Sequence, residues 1–222
     1  MLTELSVPED LQRNAPDVAA AGYEHTGQAL IDLAMRSIGL ENLANTDILD
    51  VGCGVRFTMT VINRKIAIKS YTGIEVYRPV VDFLRASVEV HDERFRFAHW
   101  NVHNQMYNRG GVELSSHDKL PIDGSFDLIW LFSVLTHQTP EDSLALLRIL
   151  RKYIRPNGKL FFSAFIDDDL EGFENRDENG LAAYYGSTYM RSLVEQTGWK
   201  IELFHDKDLD NFIQHYLVCA PN

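Results

Sequence analysis

Basic residues are the first shortage. The 222-residue sequence holds 21 Lys and Arg against 32 Asp and Glu, a formal net charge of −11 at pH 7. A phosphate backbone usually demands a basic face, so this balance argues against a nucleic-acid partner. The densest local exception, Arg148, Arg151, Lys152 and Arg155, falls at the end of an expected helix, where cations complement the helix dipole. Cysteine is scarce too. Cys53 and Cys219 are the two thiols, too few for a disulfide framework, and buried free thiols are the expected state. No apolar stretch approaches the length that spans a bilayer, so no membrane partner is expected. The opening MLTELSVPEDLQRN is polar and acidic rather than signal-like, which makes the cytoplasm the expected compartment. Internal repeats, low-complexity tracts and linkers rich in Pro, Gly or Ser are missing, so one domain is expected over 1–222, with 1–40 as an N-terminal cap.

What the chain does have is a regular alternation of helix and strand patterns, which argues for a mostly parallel sheet covered on both faces. A helix is expected from Thr26 to Ile38, with Leu30, Leu33, Ala34 and Ile38 on one face and Gly39 as its stop. Asp47–Val51 reads as a buried strand, Thr58–Arg64 as a short helix and Ser70–Glu75 as a second strand. Pro79 opens the next helix, and Phe95–Trp100 and Phe126–Phe132 are the third and fourth strands. Thr139, Pro140, Glu141 and Asp142 have the features of a helix start: a cap, a proline and acidic first-turn residues. Pro156-Asn157-Gly158 is expected to turn the chain into a fifth strand, Lys159–Ile166. A polar loop follows, then a helix capped by Ser187 and closed by Gly198. Strands at Lys200–His205 and His215–Cys219, joined by a short polar connection, end the chain.

The strongest local signal is Asp50-Val51-Gly52-Cys53-Gly54 at the end of the first strand. Glycines there let the backbone approach a ligand where a Cβ would clash. The carboxyl end of that strand is also where open α/β sheets bind ligands. Glu75 ends the next strand, where a carboxylate can accept two hydrogen bonds from a ribose diol. A nicotinamide site would want a third glycine three residues after Gly54, and Phe57 stands there. An acid just before the first glycine would repel a pyrophosphate but suits a cationic, amine-bearing ligand.

Ile48-Leu-Asp-Val-Gly-Cys-Gly54 resembles the first motif of class I S-adenosylmethionine-dependent methyltransferases. Phe95–Val102 with Tyr107-Asn108 is similar to the third motif and its loop in bacterial methyltransferases, some of them sugar-modifying. Leu120–Asp127 and Ser133–His137 resemble the fourth-strand region, and Leu150–Gly158 the helix and turn before the fifth strand. The resemblance runs from about Gly22 to the C-terminus, with its motifs in order. It implies an α/β fold, a Rossmann-like three-layer sandwich whose seven-stranded, mostly parallel sheet has an antiparallel last strand. It also implies S-adenosyl-L-methionine as cofactor. Gly52, Cys53 and Gly54 would form the loop facing its methionine portion, with Asp50 orienting the loop and Glu75 holding the ribose. Asn101 would read the adenine amino group, Val102 would lie against the ring, and Phe132 and Ser133 would line the pocket. Two positions depart from the pattern: Arg56 replaces the usual third glycine, and Asn101 stands where an aspartate is common.

An alcohol is a poor nucleophile, so O-methylation usually requires a general base. His137, just after the fourth strand, is the candidate; a loop histidine bonded to backbone is the alternative. His99 and His103 read as strand and loop residues. Asp167, Asp168 and Asp169 could bind acceptor hydroxyls or Mg²⁺, but three adjacent acids read first as a solvated loop, and no metal site is expected. The segment near 167–187, with Tyr184 and Tyr185, and the N-terminal segment through Tyr23 lie where a lid over the acceptor would be, and core packing is an equally good reading of the tyrosines. The expected function is therefore methyl transfer to a small polar molecule, first of all to a hydroxyl of a sugar or glycoside. The alternatives are N- or carboxyl-methylation of a small molecule, a non-catalytic cofactor-binding module and, more distantly, a nicotinamide oxidoreductase. A small-molecule acceptor is the expected partner, and a homodimer is left open.

Overall fold

Apolar periodicity and short glycine-bounded strands dictate most of the elements in the computed structural model, which describes residues 2–12, 21–114, 119–178, 180–205 and 214–222. The chain divides into two compact units, Met1–Trp100 and Asn101–Asn222.

In the first unit, helix α1 (Tyr23–Ile38) buries Leu30, Ile31, Leu33 and Ala34. It stops at Gly39, whose φ of 73° would strain any side chain. Strands β1 (Leu43–Val51), β2 (Ile68–Glu75) and β3 (Phe95–His99) pair in parallel, with β2 between the other two. Ile48, Leu49, Tyr71, Ile74 and Phe95 are fully buried, as expected of a parallel sheet covered on both faces. Helix α2 (Arg56–Asn63) follows β1, and α3 (Arg78–Leu84) follows β2 and continues as a π-helical turn, Arg85–Glu89. At Gly27, α1 comes so close to α2 that a Cβ would fall 2.1 Å from Thr60 Oγ1. The start of the chain is tied down. Asn63 accepts from the Leu5 N–H at 2.7 Å, and Leu5, Val7 and Leu11 are buried. Asp92 Oδ2 accepts from the Leu2 N–H at 3.2 Å.

In the second unit, β4 (Phe126–Leu131) runs parallel to β5 (Ile154–Ile166). Between them, Phe126 and Leu128 oppose Ile154 and Lys159, so the expected Pro156-Asn157-Gly158 turn is instead a bulge inside β5. Gly158 is needed there, because a Cβ would lie 2.9 Å from the Asp127 carbonyl oxygen. The segment expected as a polar loop contains two short strands, β6 (Phe173–Asn175) and β7 (Ala183–Tyr185). They pair antiparallel with each other, and β7 runs parallel to the end of β5. Helix α4 (Pro140–Leu150) is capped by Thr139, whose Oγ1 accepts from Asp142 N–H at 3.2 Å, as expected. Helix α5 (Ser187–Glu195) is capped by Gly186 and not by Ser187, which is its first helical residue. A Cβ on Gly186 would sit 1.9 Å from the Leu170 carbonyl oxygen, so no capping side chain fits. Strands β8 (Trp199–His205) and β9 (His215–Pro221) close the fold antiparallel, β9 against both β5 and β8. Their expected connection, 206–213, lies outside the described residues, as do 13–20 of the expected N-terminal cap.

Two members of the basic run are engaged. Arg151 donates to the carbonyls of Gly198 and Asn222 at 2.9 Å each, and Arg155 pairs with Asp127 at 2.6 Å. Among the described residues, no helix is long and apolar enough to cross a membrane.

Candidate functional site

Where β1 ends, Gly52 and Gly54 both take left-handed backbone angles, with φ of 69° and 47°. The N–H groups of Gly52 and Cys53 donate to the Ile74 carbonyl at 2.9 and 3.1 Å, which folds the loop over the end of β2. Glu75 completes the turn. Its Oε2 accepts from Gly54 N–H at 3.0 Å, and Oε1 accepts from the N–H groups of Val76 and Tyr77 at 2.8 and 3.0 Å. Beside the Gly54 Cα the space is open, with nothing within 4 Å of where a Cβ would be. The loop is thus a bare backbone surface next to a carboxylate that keeps one further lone pair, on Oε2.

Beneath it, Asp50 is buried and accepts a hydrogen bond from the Tyr71 hydroxyl on β2. Burial, then the neighbouring Asp50 charge, push the Tyr71 phenol well above its ordinary pKa. Cys53 points inward over Gly73, where a Cβ would come within 2.8 Å of its sulfur. Burial, then Asp50 and Glu75, raise the Cys53 thiol far out of the reactive range. Cys53 therefore belongs to this loop through its backbone and to the core through its side chain. Arg56, at the third-glycine position, is the first residue of α2 and half-buried, its guanidinium 5.3 Å from the Tyr23 ring centroid. The aromatic face on α1 carries the cation. Phe57 is buried in α2, and His99 ends β3 as the expected strand residue: its Nε2 lies 3.0 Å from the Val76 carbonyl and its Nδ1 3.2 Å from Arg78.

In the second unit, Asn101 is exposed and Val102 buried. The Asn108 side chain, missed by sequence reasoning as a functional group, donates to Asn101 Oδ1 at 3.1 Å and to the Val102 carbonyl at 2.9 Å. His103 is exposed, its N–H bonded to the Val112 carbonyl at 2.7 Å. Phe132 lies among Trp130, Phe161 and Tyr216, at ring separations of 5.9, 5.4 and 6.2 Å. Ser133 takes a φ of 58°, unusual for a residue with a side chain. Two residues that sequence reasoning also missed hold it there: Ser163 Oγ accepts its N–H at 2.8 Å, and Gln214 Nε2 donates to its Oγ at 2.9 Å.

His137 ends a single turn of 3₁₀ helix, Leu135–His137, and its Nδ1 lies 2.7 Å from the Leu181 carbonyl oxygen. A carbonyl can only accept, so Nδ1 carries the hydrogen and Nε2 is the basic nitrogen of the ring. The expected acidic run is partly engaged. Asp167 pairs with Arg176 at 2.5 Å and accepts the Asp169 N–H at 3.0 Å. Tyr184 stacks on Phe165 at 4.8 Å, with Arg176 4.2 Å above its ring. Tyr185 is fully buried, its hydroxyl bonded to the Gln138 carbonyl at 2.6 Å, which makes it a core residue and not a lid residue.

The model of the methyltransferase domain family matches residues 23–203. Three solved structures resemble the chain over most of its length. Magnesium protoporphyrin IX methyltransferase from Synechocystis PCC 6803, with bound SAM, has a TM-score of 0.59 and 14% identity over 98% of this chain and 86% of that one. A S-adenosylmethionine-dependent methyltransferase from Clostridium acetobutylicum ATCC 824 gives 0.61 and 12%, over 93% and 95%. A glycopeptide N-methyltransferase gives 0.63 and 12%, over 95% and 100%. Identities this low establish the Rossmann-like α/β fold, while the family match spans most of the sequence. On that match, which spans most of the sequence, the chain belongs to the methyltransferase domain family.

Proposed function

We propose that this protein methylates a hydroxyl on a small polar molecule, a sugar or glycoside being the first acceptor to test, with His137 as general base. The observation that supports the reading most is the His137–Leu181 bond of 2.7 Å, which fixes the tautomer and reserves Nε2 for an incoming proton. S-adenosylmethionine supplies an electrophilic methyl group on a cationic sulfur. The open Gly52–Gly54 backbone suits its amino-acid portion, and the anionic Asp50 and Glu75 suit its positive charge. Glu75 keeps one lone pair, on Oε2, for a ribose hydroxyl. Asn101 and Val102 are assigned to the adenine, and Phe132 and Ser133 to the wall of the pocket. Positioning of this kind supplies on the order of 7–11 kcal/mol of a barrier. His137 adds proton removal: the acceptor hydroxyl proton passes to Nε2.

An amine acceptor is the second reading, because the same Nε2 would take the proton from a substituted ammonium. Methyl-labelled cofactor offered with panels of sugars, glycosides, amines and carboxylates, with products identified by mass, separates the two. O-methylated product with the wild type, and a kcat lowered by roughly 10²–10⁴ in His137→Ala, is the expected result. Transfer to amines alone, or hydroxyl transfer indifferent to His137→Ala, would overturn the reading.

A further inference from the structure

The segment from Asn101 to Val112 is a small self-contained clasp. Val112 N–H donates to the Asn101 carbonyl at 2.9 Å, and His103 N–H returns to the Val112 carbonyl at 2.7 Å. Inside it, Asn104 Oδ1 accepts from the N–H groups of Met106 and Tyr107 at 3.0 Å each. Gly111 allows the closure, since a Cβ there would fall 2.3 Å from the Val102 carbonyl. These bonds bring Asn108 back against the residues that begin the clasp, with Nδ2 between the Val102 carbonyl and Asn101 Oδ1 at 2.9 and 3.1 Å.

The polarity of this arrangement follows from chemistry alone. The Val102 carbonyl can only accept, so Asn108 must turn its NH₂ toward it. That same NH₂ then requires the oxygen of Asn101, and not its nitrogen, at 3.1 Å. An unheld asparagine amide can rotate by half a turn and offer either a donor or an acceptor. Here it is fixed as an acceptor, with a second lone pair to spare on Oδ1.

We propose that Asn108 is a positioning residue that sets the polarity of the Asn101 amide. The clasp thereby selects a purine bearing an amino group at its six-position against one bearing a carbonyl. The proposal rests on the cofactor reading above, which places the base at Asn101. It explains how this chain dispenses with the carboxylate common at that position. A carboxylate accepts whichever way it turns, whereas an amide needs a neighbour to hold its oxygen in place. A 6-oxo purine would set oxygen against oxygen.

The test is calorimetric titration of S-adenosylhomocysteine and S-inosylhomocysteine into the wild type, Asn108→Ala, Asn108→Asp and Asn101→Asp, with thermal melts to confirm folding. The wild type should prefer the adenosyl ligand by about tenfold, the scale of one unmade hydrogen bond. Asn108→Ala should shrink that ratio. Asn108→Asp, which can only accept and so turns the Asn101 NH₂ toward itself, should bring it to one or reverse it. Asn101→Asp should keep the preference. An unchanged ratio in both Asn108 variants, including a uniform loss of affinity for both ligands, would overturn the proposal and leave the cofactor reading intact. A wild type that binds neither ligand would overturn both.

Discussion

At His137 the decisive atom belongs to another residue. The Leu181 carbonyl, 2.7 Å from Nδ1, turns an ordinary loop imidazole into one with a defined basic nitrogen. The same holds for Ser133, kept at a φ of 58° by Ser163 and Gln214, and for Asp50, bonded to Tyr71. Their identities were legible as candidates in the sequence; their partners were not, because hydrogen-bond partners such as Ser133 and Gln214 stand 81 positions apart. The Thr139 cap is legible because its partner, Asp142, is three residues away. The cysteines carry a prediction at this scale. Both are free and buried, and burial raises both thiols above their ordinary pKa. Ellman's reagent at mildly alkaline pH should therefore titrate essentially no thiol in the native protein and two after denaturation. Rapid native reaction of one thiol would contradict the buried placement of Cys53 under the loop.

Among the elements, long strands and helices with strong periodicity were legible, whereas pieces whose pairing depends on distant chain were not. Strands β6 and β7 have three residues each, too few to show an alternation, and become strands because β7 finds the end of β5. Pro156-Asn157-Gly158 carries turn residues, but β4 continues beside it and the segment stays inside β5 as a bulge. The N-terminal stretch gives the prediction here. Asp92 is buried, bonded by Arg94 at 2.8 and 2.9 Å, and accepts from Leu2 N–H. The Arg94 hydrogen bonds hold its carboxyl below the ordinary value of 3.8, against the opposing effect of burial. A carboxylate with a lowered folded pKa contributes stability that is complete above its unfolded value and lost as pH falls through the folded one. Asp92→Asn should thus lower the melting temperature near neutrality, with the gap to wild type closing below pH 3.8. A gap that persists unchanged into acid would show that the charge is not what anchors this segment.

For the whole molecule, the fold and the family were legible because the glycine loop, the acid at the end of β2 and the later motifs come in order along the chain. The identity of the acceptor was not legible, since one fold hosts many acceptors and the residues that recognise them are set by loops. We propose that the Gly52–Gly54 loop and Glu75 hold S-adenosylmethionine. Calorimetric titration of S-adenosylmethionine, with NADH as the control ligand, tests it most directly. The wild type should bind S-adenosylmethionine with micromolar affinity and ignore NADH. Gly52→Val, which forces a β-branched residue to a φ of 69°, should abolish binding, and Glu75→Ala should weaken it. No binding by the wild type, or full binding by Gly52→Val, would contradict this placement of the cofactor.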